Sequence, residues 1–269
     1  MSIAKQAKQI LQQADSLILL AGAGMGVDSG LPDFRGKEGF WRAYPPFAKL
    51  GLRFEELANP RWFYEDPYLA WGFYGHRFNL YKKTKPHDGF TLLLQTAQKK
   101  PKGYFVFTSN VDGQFQKAGF SENAIYEVHG SLMHLQCMKH CGVGIYRAEN
   151  ISITMDEKTM RATTLPQCKN CGSLVRPNIL MFGDFSWDST RSDKQYIQYK
   201  KFLASVQKPA IVEIGAGKAV PTVRMQSESL AHRFGVPLIR INPREAEGPI
   251  GTLSFYEGAL EALRKILSD

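Results

Sequence analysis

Short apolar runs recur along the chain at residues 16–21, 104–108, 125–128, 179–182, 210–214 and 237–241. They are rich in Ile, Val and Leu, the pattern of strands covered on both faces. Amphipathic segments at residues 3–14, 89–98, 223–234 and 256–267 fall between several of them. Short buried strands alternating with helices predict an α/β fold built on a doubly wound, mainly parallel sheet. A chain of 269 residues can bury one good-sized core and carry a smaller module beside it.

Two segments break the alternation. Residues 40–81 are rich in aromatics and proline, with Trp41, Trp62, Trp71 and seven Tyr or Phe from Phe63 to Tyr81, and read as a helical insertion. Residues 135–176 show little core-like patterning and carry all four cysteines. The resulting division assigns residues 1–36, 84–133 and 177–269 to a large Rossmann-like domain. Residues 37–83 and 134–176 are two insertions forming a small domain, the second expected to be a zinc-ribbon module.

The cysteines supply the reason. Cys137 and Cys141 form a C-x3-C pair and Cys168 and Cys171 a C-x2-C pair, with 26 residues between the pairs. Two thiol pairs on tight turns can bring four sulfurs to one tetrahedral zinc, at Zn–S distances of about 2.3 Å. In a reducing compartment such spacing favours a metal over disulfides, and four thiolates leave no open position for catalysis. His134 and His140 lie close by, and the wider first spacing would let His140 replace a cysteine as ligand.

The net charge of +9, from 34 basic and 25 acidic residues, raises nucleic-acid binding as an option. The basic residues are scattered, however, in small groups such as Lys82, Lys83 and Lys85, without interleaved aromatics as stacking platforms, so nucleic acid is not an expected partner. No apolar stretch approaches the roughly 18 residues of a membrane span, so no membrane association is expected. The first fifteen residues are polar and helix-patterned rather than leader-like, which makes a cytoplasmic protein the expectation.

Directly after the first predicted strand comes Gly22-Ala23-Gly24-Met25-Gly26-Val27-Asp28-Ser29-Gly30. Glycines in that position let backbone approach a pyrophosphate, with helix N-terminal amides as donors. The usual dinucleotide fingerprint would have a third glycine where Val27 stands, and an acidic residue about 20 positions downstream is lacking. A plain Rossmann dehydrogenase is therefore disfavoured, and alone the loop could be only a tight turn. The downstream motifs are decisive: Gly30-Leu31-Pro32-Asp33-Phe34-Arg35-Gly36, then Thr108-Ser109-Asn110-Val111-Asp112-Gly113, then Glu127-Val128-His129-Gly130, and Ile241-Asn242. In this order around a four-cysteine module, the segments resemble the sirtuin (Sir2-like) family of NAD-dependent protein deacylases. The resemblance runs from Ser16 to about Glu245.

The resemblance implies NAD as a spent co-substrate, zinc as a structural ion, and acylated-lysine proteins or peptides as substrates. Gly22, Ala23 and Gly24 would cradle the pyrophosphate, and Asp33, Phe34 and Arg35 would belong to a loop closing over the nicotinamide ribose. Asn110, with Ser109 beside it, would face a ribose and Asp112 the carboxamide. Gly215, Gly217 and Asn242 would lie at the adenosine end, and His129 would be the catalytic base. The implied reaction begins with attack of the acyl-lysine oxygen on C1′, expelling nicotinamide. His129 then deprotonates a ribose hydroxyl, and water finally releases lysine and O-acyl-ADP-ribose. Taken singly these residues have plainer uses: a solvated turn at 33–35, Asx turns at Asn110 and Asp112, a structural histidine after a strand.

Phe182-Gly183-Asp184 resembles the edge along which an acylated peptide adds as a strand, with Asp184 where Glu is usual. Tyr74 and Arg77, a Tyr-x-x-Arg pair one helical turn apart, resemble the desuccinylase and demalonylase group, in which they would hold an acidic acyl chain. The plainer alternative pairs Arg77 with Asp66 and leaves Tyr74 simply packed. Ser109 stands for a usual Gln, Phe115 for a common His and Gly26 for a common Ser; residues 215–221 are one position short of the usual stretch, and Glu245 comes three positions after Asn242 rather than two. These departures mark a divergent branch. The alternatives are sirtuin-type mono-ADP-ribosyl transfer and a non-catalytic NAD-binding module.

Overall fold

The computed structural model describes residues 1–33, 51–149, 151–156 and 158–268. Phe34, Arg35 and Trp41 lie outside the described residues. Strands β1 (Ser16–Ala21), β2 (Tyr104–Thr108), β3 (Ile125–Glu127), β9 (Pro209–Ile214), β10 (Leu238–Ile241) and β11 (Leu253–Phe255) form a sheet in the order β11-β10-β9-β1-β2-β3. Every pairing in it is parallel. The chain starts in the middle at β1, builds outward through β2 and β3, and returns to the other side of β1 at β9. The order therefore reverses between β1 and β9, where open α/β sheets leave a crevice for ligands at the carboxyl ends of the strands.

Successive residues of β1 serve opposite layers. Leu17, Leu19 and Ala21 pack with Ala7 and Leu11 of α1 (Ile3–Gln13) and with Phe90 and Leu93 on one face. Ile18 and Leu20 pack on the other face with Tyr199, Leu203, Val223 and Leu230. Both faces are dry, which is why the run is apolar at every position. The first layer contains α1, α3 (Asp88–Gln98) and α6 (Ala259–Leu267); the second contains α4 (Thr190–Ser205) and α5 (Thr222–Phe234).

The small module joins the aromatic helix α2 (Pro67–Lys83) to an antiparallel sheet in the order β5-β4-β8, made of β4 (Gly130–Cys137), β5 (Tyr146–Arg147) and β8 (Val175–Ile179). A short hairpin pairs β6 (Met155–Asp156) with β7 (Arg161–Ala162). Trp71 Nε1 donates to the Val175 carbonyl at 2.9 Å, and Phe63, Phe73, Leu135, Cys137 and Val175 share one core.

The structure corrects three expectations. The strand expected at 179–182 is β8, ends at Ile179, and belongs to the antiparallel sheet rather than the parallel one. Phe182 and Gly183 consequently lie in a turn, not on a strand edge. The cysteine segment does have core patterning: Leu135, Ala148, Ile153, Ala162 and Val175 are all buried.

Candidate active site

At the reversal point the loops after β1 and β9 touch backbone to backbone. Gly24 N–H donates to the Gly215 carbonyl at 3.0 Å. A Cβ on Gly24 would sit 2.6 Å from Gly215 Cα, and one on Gly22 would sit 2.7 Å from Ala216 Cα. Gly215 itself has φ +66°, the left-handed region. No side chain fits between these loops, so they meet main chain to main chain. Residues Ala23–Ser29 form a 3-10 helix rather than the α-helix that a dinucleotide loop usually opens, and Gly30 ends it with φ +85°.

The loop after β9 is bonded in turn to residues that follow β10. Asn242 is fully buried; its Nδ2 donates to the Ala216 carbonyl at 2.8 Å, and its Oδ1 accepts from the amides of Arg244 and Glu245, both at 3.0 Å. Glu245 Oε2 accepts from the Lys218 amide, so the shortened loop carrying Gly217 is stitched to the turn after β10. Asp33 pairs with Arg244 at 2.9 Å, linking the stretch beyond Gly30 to that same turn.

On the other side, the β2 loop reaches the glycines. Asn110 Nδ2 donates to the Gly22 carbonyl at 2.9 Å, and its amide donates to Thr108 Oγ1. Asp112 accepts from the Gln114 amide, an Asx turn. Burial pushes its carboxyl up to about 6, a rise that Glu127 reinforces while the Gln114 bond and Arg77 oppose it.

His129 lies between β3 and β4, at the carboxyl edge of the parallel sheet. The Ser109 backbone lies within reach of its ring, beside the Asn110–Asp112 loop. Burial lowers its basicity from the ordinary histidine value, and the Ser109 backbone partly restores it. The ring is thus predominantly neutral at neutral pH, able to take a proton. The His129 carbonyl accepts from the Leu180 amide at 3.0 Å.

Leu180 begins the segment carrying Phe182 and Gly183. Phe182 is partly exposed, its amide donates to the Ala58 carbonyl, and its ring meets Phe54 edge-on. Asp184 is a buried structural acid: it pairs with fully buried Arg176 and accepts from the Met181 and Ser186 amides. On α2, Tyr74 and Arg77 are both buried, at 1% and 6% exposure, and Arg77 lies among aromatic rings. Asp66 is not the partner of Arg77; it caps α2 and holds Arg161 in a two-pronged ion pair.

The four cysteines converge as free thiols whose Sγ atoms all lie within 4.8 Å of one another. The Cys137–Cys171 and Cys141–Cys168 separations are both 3.6 Å. A tetrahedral ion with bonds of about 2.3 Å needs sulfurs roughly 3.8 Å apart, so the set fits zinc. His140 is exposed in a left-handed turn and takes no part.

Sequence reasoning missed His87. Its Nε2 lies 3.0 Å from the Met25 carbonyl while Nδ1 accepts from the Gly89 amide, tying the glycine loop to the start of α3. A histidine directly before Asp-Gly at a helix start is the available signal, and a weak one. Phe115 proves to be a core ring, against Phe90 at 5.0 Å and Phe120 at 5.1 Å.

A family model described as the Sir2 family matches residues 22–205. The chain belongs to the Sir2 family. A relative in Aquifex aeolicus, named NAD-dependent protein deacylase, is 30% identical to this sirtuin over 252 residues, covering 93% of each chain. An Archaeoglobus fulgidus relative, NAD-dependent protein deacylase 1, is 30% identical over 262 residues, 96% of this chain and 94% of its own. Among solved structures, a Sir2 homologue in complex with NAD superposes with a TM-score of 0.75 at 25% identity, over 98% of this chain and 92% of that one. No helix among the described residues of this sirtuin is long and apolar enough to cross a membrane.

Proposed function

We propose that this sirtuin is an NAD-dependent protein-lysine deacylase that releases nicotinamide and O-acyl-ADP-ribose, with acylated proteins or peptides as substrates. What supports the reading is the neighbourhood of His129: it follows β3 beside Ser109, and the next residue, Asn110, donates to the Gly22 carbonyl of the glycine loop.

NAD supplies an electrophilic ribose carbon and nicotinamide as its leaving group. The protein's own part is to bind, orient and move one proton. Gly22, Ala23, Gly24, Gly215 and Gly217 offer main chain to the pyrophosphate side, and Asn242 fixes the turn at the adenosine end. Asn110 anchors the ribose side to the glycine loop, and Asp112 offers a carboxylate to an amide. His129 takes the hydroxyl proton as general base, a role for which a ring kept neutral by burial is suited. Asp33, with Phe34 and Arg35, belongs to the segment that closes the nicotinamide end. Phe182 and Gly183 border the peptide's path. Zinc at Cys137, Cys141, Cys168 and Cys171 holds the small module, and its thiolates suit a reducing, cytoplasmic setting.

For the acyl group, Tyr74 and Arg77 favour a chain ending in a carboxylate, succinyl or malonyl. The support is a guanidinium buried on the small-module helix within electrostatic reach of Asp112. This feature, with the altered Ser109 and Gly26 positions, marks a divergent branch. The test is mass spectrometry of NAD with acetyl-, succinyl-, malonyl- and long-chain acyl-lysine peptides, for wild type and Arg77→Met. O-acyl-ADP-ribose is the expected product, and Arg77→Met should lose acidic substrates selectively. A mass gain on protein without that product would mean ADP-ribosyl transfer instead.

A further inference from the structure

Strands β9 and β10 each carry one charge inside an otherwise apolar run, Glu213 and Arg240, and the parallel register sets the two side by side. The two-residue period of a strand puts them on the same face as Ile211 and Leu238, under helix α5, and both are fully buried. Arg240 Nη2 donates to Glu213 Oε2 and to Glu228 Oε1, each at 2.7 Å. Ser227 Oγ donates to the same Glu213 oxygen, and Arg224 lies 4.0 Å from the other.

For stability alone, apolar residues would serve this face as well, because burying an ion pair costs desolvation that its attraction barely offsets. What the charges add is a set of strong donors aimed at main chain. Arg240 Nη1 donates to the Glu247 carbonyl at 2.6 Å, Arg224 Nη1 to the Glu245 carbonyl at 2.7 Å, and Arg224 Nη2 to the Glu247 carbonyl at 2.8 Å. Two buried guanidinium groups therefore hold the turn after β10 by its carbonyls, while Asn242 Oδ1 holds it by the Arg244 and Glu245 amides. Gly248 lets the chain pass close by: a Cβ there would lie 3.0 Å from Arg240 Nη1 and 2.6 Å from Thr252 Oγ1. The turn in its own right reaches the loop after β9, since Glu245 accepts from the Lys218 amide and Asn242 donates to the Ala216 carbonyl.

We propose that Arg240 and Arg224, their charges balanced by Glu213 and Glu228, are positioning residues for the adenosine end of NAD. They fix the turn at residues 242–248, and through it the loop at residues 215–218. The inference rests on the reading of Gly215, Gly217 and Asn242 as adenosine-end residues and adds what holds them in place. Neither arginine touches the cofactor.

The experiment titrates ADP-ribose into wild type, Arg240→Met, the double variant Glu213→Leu with Arg240→Met, and Gly248→Ala, with a melting curve for each. Arg240→Met alone strands the Glu213 charge and should lower Tm by about 10 °C. The double variant replaces the pair with apolar side chains and should regain Tm to within about 5 °C of wild type. Its Kd for ADP-ribose should nevertheless stay about tenfold higher, because the charged donor to the Glu247 carbonyl is gone. In deacylation assays its KM for NAD should rise likewise, while the KM for the acyl-peptide stays within about twofold. Gly248→Ala changes an exposed turn, so the core stays intact, and should raise the ADP-ribose Kd at least about threefold with Tm close to wild type.

A double variant with recovered Tm and wild-type ADP-ribose affinity overturns the inference, and so does an equal rise in both KM values, the mark of general damage. If the double variant does not recover its Tm, Gly248→Ala decides, and an unchanged Kd there overturns the inference. A wild type that does not bind ADP-ribose removes the NAD reading and this inference with it. A wild type that binds ADP-ribose but makes no deacylated peptide removes the deacylase reading alone.

Discussion

His87 Nε2 donates to the Met25 carbonyl at 3.0 Å while Nδ1 accepts from the Gly89 amide, so one imidazole joins the glycine loop to helix α3. Both bonds require the neutral ring with its proton on Nε2. Burial accordingly lowers the His87 pKa below its ordinary value, against a partial opposing effect of the Met25 bond. The unfolded ring takes up its proton near the ordinary value and the folded ring only at lower pH. Between those two points the unfolded state binds more protons, so stability falls as pH drops through that window. His87→Asn, which keeps a polar cap but not the ring, should lower stability by about 1–2 kcal/mol at neutral pH. It should also flatten the dependence of Tm on pH below about 6.5. Urea melts at several pH values test both, and an unchanged slope in the variant would dismiss the His87 assignment.

The contact between Gly24 and Gly215 predicts a sharp positional contrast. Gly24→Ala places a methyl 2.6 Å from Gly215 Cα, and backbone on both sides can yield only by separating the loops. Stability should fall by about 1–3 kcal/mol, and the KM for NAD should rise at least about tenfold. Gly30→Ala is the control: its φ of +85° penalises any side chain, but nothing lies within 4 Å of the added methyl. That variant should lose about 1–2 kcal/mol of stability with NAD KM little changed. Isothermal titration of NAD into both proteins decides, and equal affinities would mean the loop contact does not shape the cofactor crevice.

The parallel sheet is legible in the sequence because both of its faces are dry, which leaves uninterrupted apolar runs such as Leu17–Leu20 in place of any competing pattern. The same signal fails where buried polar residues satisfy one another. In β8, Arg176 and Asn178 are fully buried, neutralised by Asp184 and bonded to Gln136 respectively, and hydropathy reads them as solvent-facing. The apolar run therefore points four residues too late for the start of that strand. Helix α4 leaves little trace because, of its sixteen residues, only Ser192, Tyr199 and Leu203 are buried, too sparse a stripe to show as periodicity. Strand β11 is three residues long. In the site, the glycines, Asn110, Asp112 and His129 are readable from the family pattern carried by short contiguous motifs. His87 is tied to the Met25 carbonyl, a contact for which the Asp-Gly that follows it in sequence is only a weak sign.

Metal removal separates the four thiolates from His140. Cys137 belongs to the same core as Phe63, Phe73 and Val175, so an ion bound there would anchor the face on which α2 packs. Cys171→Ser alters an exposed ligand without opening that core, and should lower bound zinc well below one ion per chain and Tm by several degrees. Deacylation should fall with it, because α2 packs on that same core. His140→Ala should leave zinc content unchanged. Atomic absorption on purified protein gives the answer, and a Cys171→Ser protein that keeps a full complement of tightly held zinc would rule out the four-cysteine site.

The acid side of the pH profile reports on His129 and Asp112 together. His129 must be neutral to accept a proton, and burial holds its basicity below the ordinary value. Asp112, raised to about 6, must be ionised to accept from an amide. Lowering the pH from 7 thus protonates two groups that are both needed deprotonated, and kcat/KM should fall with a limiting slope steeper than one proton. Asp112→Asn removes one of them: its limb should become shallower, with nicotinamide release slower by about tenfold or more. His129→Ala should lower kcat by at least about a hundredfold at every pH while leaving the melting profile close to wild type. Because Glu127 raises the Asp112 carboxyl, Glu127→Gln should shift the same limb to lower pH, a change opposite in direction to simple damage. Initial rates of nicotinamide release between pH 5 and pH 8 test all three variants. A single-proton limb unaffected by either acid substitution would leave His129 as the sole titrating group and remove Asp112 from the chemistry.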